Sequence, residues 1–434
     1  MFSFVQNLLT PKSCPIGVDY GSDCLRMVQV QRSGTELKLI AAASADVPTH
    51  VRHDPNARLN FFVESARELL ASGKFRGRQA VLGLPAASMF IQHLRMAKLD
   101  PDAMKKALPW ELRGKLPIDP SHALLRHVIA GDVYEGQEPK SEVIVIAAAK
   151  EMVNQLLAAA AKAKLDVTGM NVEPKALVDC FSQIYRRKSD ENATSCYVDI
   201  GCVATRAVIA KGAQILFARV IPVGGDHFSR ATAQAMKIKL EAAKLLRVKL
   251  AQSAGPVEEP KERPAPRIAE AETSEENSFA LLSASVPTKR READRVNEAA
   301  AASAVAVAVA EAPAAEDALS REARQVEQAY REPLARLVEE LELCRRYYET
   351  TFPSAPIDRL IFVGGEARQK MLCQQIARSM GLAAQVGDPM VRLKNTDVVI
   401  EAIDRRQPQP GWAVAIGLSM GPAAEAAPVE SNKA

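Results

Sequence analysis

The sequence predicts an α/β fold built from two related halves that face one ligand. Three stretches carry this prediction. In residues 195–225 a β-rich run from Cys196 to Ile200 ends in Asp199-Ile200-Gly201, and further runs follow at Thr205–Ala210 and Gln214–Val220. Pro222-Val223-Gly224-Gly225 then opens a helical stretch. The same grammar stands about 180 residues earlier, where Ile16-Gly17-Val18-Asp19-Tyr20-Gly21-Ser22 precedes a strand-like run, Leu25–Gln31. A third glycine turn follows the apolar strand Ile357–Val363, as Gly364-Gly365-Glu366-Ala367 before a helix to Met380. Strands that turn on glycine beside an Asp bring backbone N–H groups close to whatever sits at the turn. Such concavities suit phosphate, and the neighbouring Asp suits Mg2+ or its waters. A helix that starts on glycine presents free N–H groups in the same way.

The bulk properties agree with a cytosolic globular protein. A chain of 434 residues has room for two to three packed domains. It is 47% hydrophobic and 25% charged, with a net charge of +4 and both signs interspersed. Its aromatic content of 5% is too low for stacking platforms, so nucleic acid is excluded as a partner. The 7 cysteines form no CxxC pair, which argues for a reducing compartment and against structural disulfides or zinc. No run of 18 apolar residues is present, and the N-terminus lacks the marks of a secretory signal.

The elements follow in order. Residues 2–9 suit one or two helical turns with Phe2, Val5 and Leu9 on one side, either touching a membrane or partner or simply frayed. Residues 15–44 read as a three-stranded meander turning at Gly21-Ser22 and Ser33-Gly34. Leu59–Leu70 is an amphipathic helix, and Ala80–Leu84 a buried strand. Residues 86–150 then form a β-α-β-β block. It has a strand at Ser88–Met96, a helix opened by Asp100-Pro101, and strands at Leu124–Ile129 and Val143–Ala148 separated by a loop at 131–140. Its helix carries Trp110 and Glu111, which fit a peptide-docking surface; the alternative is that Trp110 plugs the block's own core.

An Ala-rich helix from Lys150, a strand at Val167–Val172 and a helix opened by Glu173-Pro174 lead into the second half. After Gly225 come helices at Asp226–Met236 and Ile238–Ala251. The second contains Glu241 and Lys244, which share a helix face at three-residue spacing and read from spacing alone as a solvated salt bridge. Residues 252–320 are rich in Ala, Glu, Pro and Ser and lack sustained periodicity, the signature of a disordered insertion. Arg321–Glu349 reads as one long helix, Ala383–Val386 as a strand and Trp412–Met420 as an apolar helix, before a loose tail. The expected domains are therefore 1–14, 15–85, the inserted subdomain 86–150, 151–185, 186–251, the insertion 252–320, 321–420 and the tail 421–434.

In this order the motifs resemble the actin-like ATPase superfamily. The chain is most similar to its PilM family of type IV pilus assembly, with cell-division FtsA as a relative. The order is strand-Asp-x-Gly hairpin, Glu-Pro helix, second Asp-x-Gly hairpin, Gly-Gly-Asp helix, Glu-x-x-Lys, and strand-Gly-Gly-helix, over residues 1–250 and 321–420. The resemblance implies an actin-like (ribonuclease H-like) fold of two halves with an inserted small α+β subdomain. It implies ATP and Mg2+ as ligands, with Asp19, Glu173 and Asp199 as the catalytic acids. Asp19 and Asp199 would hold Mg2+ through water, and Glu173 would position the metal-bound water. Asp19, Gly21 and Ser22 would form the first phosphate loop, and Asp199, Gly201 and Thr205 the second. Gly224 and Gly225 would cap the phosphates, Glu241 and Lys244 would contact the adenosine, and Gly364, Gly365 and Glu366 would floor it. Arg26 stands where the family carries Lys, keeping the charge but changing its geometry.

The resemblance further implies a scaffold that docks the cytosolic N-terminal tail of a PilN-like bitopic inner-membrane protein through residues 86–150. It would lie at the inner membrane through that partner, with pilus motor ATPases and copies of itself as further contacts, and with at most slow ATP hydrolysis. The alternatives are an FtsA-like polymerising membrane tether and a small-molecule kinase on the same fold.

Overall fold

The computed structural model describes residues 12–34, 36–185, 190, 192–253, 312–394 and 402–421. The segment 2–9, nearly all of the 252–320 insertion and the tail after Gly421 lie outside the described residues. Strands are numbered in chain order: β1 Lys12–Ser13, β2 Ile16–Tyr20, β3 Cys24–Ser33, β4 Glu36–Asp46, β5 Gln79–Leu84, β6 Met89–Ala97, β7 Ala123–Glu135 and β8 Glu138–Ala149. They continue as β9 Asp166–Val172, β10 Thr194–Ile200, β11 Thr205–Lys211, β12 Gln214–Ile221, β13 Arg359–Val363, β14 Ala384–Val386 and β15 Leu393–Lys394. The helices are α1 Pro55–Ser72, α2 Pro101–Glu111, α3 Lys150–Lys162, α4 Glu173–Ile184, α5 Gly225–Met236, α6 Leu240–Ser253, α7 Ala312–Ala329, α8 Arg331–Thr351, α9 Lys370–Met380 and α10 Ala413–Met420.

Two sheets repeat one topology. The first runs β15-β4-β3-β2-β5-β9 and the second β12-β11-β10-β13-β14. In each, an antiparallel meander of three strands leads through its innermost strand (β2 or β10) to two parallel neighbours. Strands β2 and β10 are buried along their whole length, and each carries an Asp as its next-to-last residue after an apolar stretch. The Asp falls at the matching place in both halves, at Asp19 and Asp199.

Two helices join the halves beneath the glycine turns. Helix α4 follows the last strand of the first sheet and buries ten of its twelve residues. Helix α10 is apolar except for Ser419, whose hydroxyl accepts from the Val30 N–H and donates to the Pro15 carbonyl, and it is wholly buried, packing on α4 and on β2. Their contact depends on absent side chains: a Cβ on Gly417 would lie 1.9 Å from the carbonyl oxygen of Ala176, and one on Gly17 2.0 Å from that of Ala415.

Residues 89–149 form a separate three-stranded sheet of order β6-β8-β7, backed by α2. Helix α2 is capped by Asp100, whose carboxylate accepts from the N–H groups of Asp102 and Ala103 at 3.0 and 2.9 Å. The expected loop at 131–140 is absent. Strands β7 and β8 pair directly across it, because Gly136 at φ +65° supplies a tight hairpin turn. This sheet rests on the second half through Glu142. Its carboxylate, fully buried, receives the hydroxyl of Tyr347 at 2.6 Å and lies 3.1 Å from His93 Nδ1 and 3.4 Å from Arg95 Nε.

The expected long helix after Arg321 is broken into α7 and α8 at Tyr330. Pro333 has no N–H to offer the carbonyl of Ala329, so the hydrogen-bond ladder is interrupted there. Tyr330 turns inward and is almost wholly buried.

Candidate functional site

The acids Asp19, Glu173 and Asp199 converge beneath the paired hairpins. Asp19 and Asp199 stand near the ends of β2 and β10, and Glu173 is the first residue of α4; all three are buried. Opposite each Asp on the neighbouring antiparallel strand stands an arginine: Asp19 pairs in register with Arg26, and Asp199 with Arg206. Arg206 Nε donates to Glu173 Oε2 at 2.5 Å and lies 3.5 Å from Asp199 Oδ2.

Three carboxylates with two guanidiniums leave an excess of acid. Burial, then the charge of Glu173, pushes the Asp19 carboxyl up to about 7 against the pull of Arg26 and Arg206. Burial also raises Asp199, although Arg206 opposes it. Burial disfavours the Arg206 charge, but the charges of Asp199 and Glu173 outweigh that and hold it above its ordinary value.

The glycines shape this place in a different way from the one expected. Gly364, at φ +86°, lies so close to Asp199 that a Cβ would stand 2.3 Å from its Oδ1. A Cβ on Gly225 would stand 2.1 Å from Glu366 Oε1. Yet most of the glycine N–H groups are already engaged. Gly21 donates to Cys24, Gly201 to Ala204, Gly225 to Gly201 and Gly364 to Pro410, at 2.9–3.1 Å. Gly224 donates to His227 Nδ1 at 3.2 Å. These bonds close the turns and dock them on each other. Thr205 is fully buried and its hydroxyl donates to the Val223 carbonyl at 2.7 Å, so it props the loop from within. Gly365 is exposed, with nothing within 4 Å of a Cβ built on it.

On the expected adenosine side, Lys244 does not pair with Glu241. Its Nζ lies 2.9 Å from Asp226 Oδ1, and Glu241 is exposed. Helix α6 turns Lys244 toward the start of α5, which removes the solvated-pair reading. Beside it Arg247, buried, donates to the Gly225 carbonyl at 2.9 Å, Ser229 Oγ at 2.6 Å and Tyr330 Oη at 2.6 Å, and pairs with Glu366. Glu366 is thereby held against Gly225.

The family model of the type IV pilus assembly protein PilM matches residues 17–255. This chain belongs to the PilM family. The model of the cell division protein FtsA matches residues 196–417, the half that carries the second hairpin and the Gly364-Gly365 turn. Among solved structures, the PilM-PilN type IV pilus biogenesis complex matches over 94% of this chain and 97% of that one, with TM-score 0.66 and 19% identity. Ethanolamine utilization protein EutJ from Carboxydothermus hydrogenoformans matches over 96% of each chain, with TM-score 0.46 and 13% identity. The activator of 2-hydroxyisocaproyl-CoA dehydratase from Clostridium difficile, solved with bound ADPNP, matches over 94% of this chain and 93% of that one, with TM-score 0.37 and 9% identity. The fold is the actin-like one. Among the described residues no helix is long and apolar enough to cross a membrane.

The acids meet in the first instance an arginine of the chain itself. Among the described residues no group of three or more His, Cys, Asp or Glu side chains converges to hold an ion. Arg206 hydrogen-bonds Glu173 and lies 3.5 Å from Asp199 Oδ2, a buried oxygen that has no hydrogen-bond partner among the described residues. The turns at Gly225 and Gly364 are kept bare of side chains by close approach to Glu366 and Asp199.

Sequence reasoning missed three arginines here. Arg206 follows Asp199 by the same seven residues that separate Arg26 from Asp19, a repeat legible in the sequence once the hairpins are aligned. Arg247 lies one helical turn beyond Lys244, a signal no stronger than any charged residue on a helix. Arg58 donates to the carbonyls of Gly21 and Ser22 at 3.1 and 3.2 Å and clamps the first hairpin tip, a contact only the fold reveals.

In the 86–150 subdomain, Trp110 is 66% exposed with the Arg113 guanidinium 3.8 Å from its ring centroid. It does not plug the core of its subdomain; Met104, Leu108 and Leu112 do. Glu111 is exposed beside it, 3.9 Å from Lys115. Strand β7, an edge of the same sheet, also exposes Leu124, Ile129 and Tyr134.

Proposed function

We propose that this chain is an ATP-binding scaffold of type IV pilus assembly. In this reading ATP lies between the halves, with its phosphates at the two hairpin tips and its adenosine between α6 and the Gly364–Glu366 turn. The observation that carries the reading is the Asp-x-Gly hairpin repeated in both halves of a PilM-family chain, with Arg52 of the first half reaching Cys202 and Asp226 of the second. The scaffold docks the cytosolic N-terminal tail of a PilN-like bitopic inner-membrane protein through the 86–150 subdomain, with Trp110 and Glu111 at the contact. Support comes from the similarity to PilM in the PilM-PilN complex and from the exposed indole. The protein then sits at the inner membrane through its partner. Nucleotide biases cleft closure and so changes the affinity for the tail.

Thermal unfolding of the full chain with and without ATP tests the nucleotide reading. A ligand that binds only the folded state raises stability by about 2.7 kcal/mol at a hundredfold excess over Kd. Gly365→Val, whose new side chain has space in the fold, should keep the parent's melting temperature and lose the ATP-dependent rise. No shift in the parent would leave a purely structural adaptor. The match of the FtsA model to residues 196–417 favours a second reading, a polymerising tether. Sedimentation with ATP separates the two, since the scaffold stays unpolymerised.

A further inference from the structure

The two Asp–Arg pairs of the cleft are not equivalent. Arg26 faces Asp19 across one hairpin. Arg206 faces Asp199 and also reaches Glu173, which comes from α4, the helix that joins the halves. Its guanidinium is seated: Nη1 lies 3.4 Å from the Ala204 carbonyl, and a Cβ on Gly201 would stand 2.5 Å from the same nitrogen. Gly201 thus leaves the room that the guanidinium fills. Arginine stays charged at any pH the fold survives, so this cation is permanent.

In phosphate-binding clefts divalent ions bridge the phosphate oxygens and neutralise the negative charge there. Here the place between two of the three acids is held by a side chain, and no three-acid ion site exists among the described residues. We propose that Arg206 does the work of the divalent cation, so that the cleft takes a nucleoside triphosphate without requiring a metal. The inference rests on the nucleotide reading given above.

Calorimetric titration of the full chain with ATP, in Mg2+ and in EDTA, tests it. The expected result is binding in both, with Kd values that agree within about threefold, less than 1 kcal/mol. Binding in Mg2+ that weakens about tenfold or more in EDTA overturns the proposal and leaves the nucleotide reading standing. No binding in either buffer overturns both. Arg206→Ala, checked for a parent-like circular dichroism spectrum, should gain a metal dependence of about tenfold or more, and Arg206→Lys should not. An Arg206→Ala protein that still ignores EDTA overturns the assignment to Arg206. Should that variant fail to fold, the parent's two titrations still decide.

Discussion

The guanidinium of Arg52, from the first half, lies 3.7 Å from the carboxylate of Asp226 at the start of α5 in the second half. Arg52 Nη1 also approaches Cys202 Sγ at 3.5 Å. Lys244 holds the same Asp226 oxygen from the other side. One carboxylate thus ties both walls of the cleft to α6. Arg52→Ala should cost about 1 kcal/mol, since Lys244 still serves Asp226. Asp226→Ala should cost more, about 2–4 kcal/mol, because two mostly buried cations lose their counterion. Urea unfolding measures both, and small-angle scattering should report a larger radius of gyration for Arg52→Ala than for the parent.

Asp19 makes stability depend on pH in the sense opposite to an ordinary salt-bridged acid. Its folded-state pKa of about 7 lies above the ordinary 3.8. The folded chain therefore binds the proton more tightly than the unfolded chain. The stability this adds is fully present below about pH 4 and is lost as pH rises through about 7. Asp19→Asn removes that dependence. Relative to the parent it should become progressively more stable between pH 4 and pH 8, by up to about 4 kcal/mol at 1.36 kcal/mol per pH unit. Chemical denaturation of both proteins across that range checks the sign, and a constant difference would refute the assignment.

Gly364→Ala should destabilise by about 2 kcal/mol or more, as its left-handed backbone and the nearby Asp199 carboxylate both oppose a Cβ. Gly365→Ala, one residue on, meets nothing within 4 Å and should stay within about 0.5 kcal/mol of the parent. Differential scanning calorimetry of the pair isolates the conformational demand of one turn.

Trp110→Ala should leave the melting temperature nearly unchanged, because the indole is mostly exposed beneath the Arg113 guanidinium. Its effect should fall on capture of the partner's tail, by about 2 kcal/mol or more for a hot-spot aromatic. Fluorescence anisotropy of a labelled tail peptide reads this out.

Glu142→Ala removes the buried acid that gathers His93, Arg95 and Tyr347 where the 89–149 sheet meets α8. The expected cost is about 3 kcal/mol, from charged and polar partners left unpaired. Hydrogen exchange should show the loss concentrated in β6, β8 and the C-terminal part of α8.

Features that depend on neighbours along the chain were legible in the sequence. The Asp-x-Gly hairpins, the Pro-opened helices and the strand-Gly-Gly-helix turn are local devices, and their repetition revealed two related halves. Asp19 and Asp199 were legible in their Asp-x-Gly hairpins, whereas Glu173 joined them only through the resemblance to the family. The tertiary structure decided which charges answer one another. Lys244 turned from Glu241 to Asp226, Arg206 spanned two acids from different elements, and most of the glycine amides were spent on closing their own turns. Such pairings follow from which side chains share a desolvated space. Packing of sheets against helices sets that sharing: it brings Arg206 to Glu173 across 33 positions of chain, where no spacing along a single helix or strand could have announced the pair.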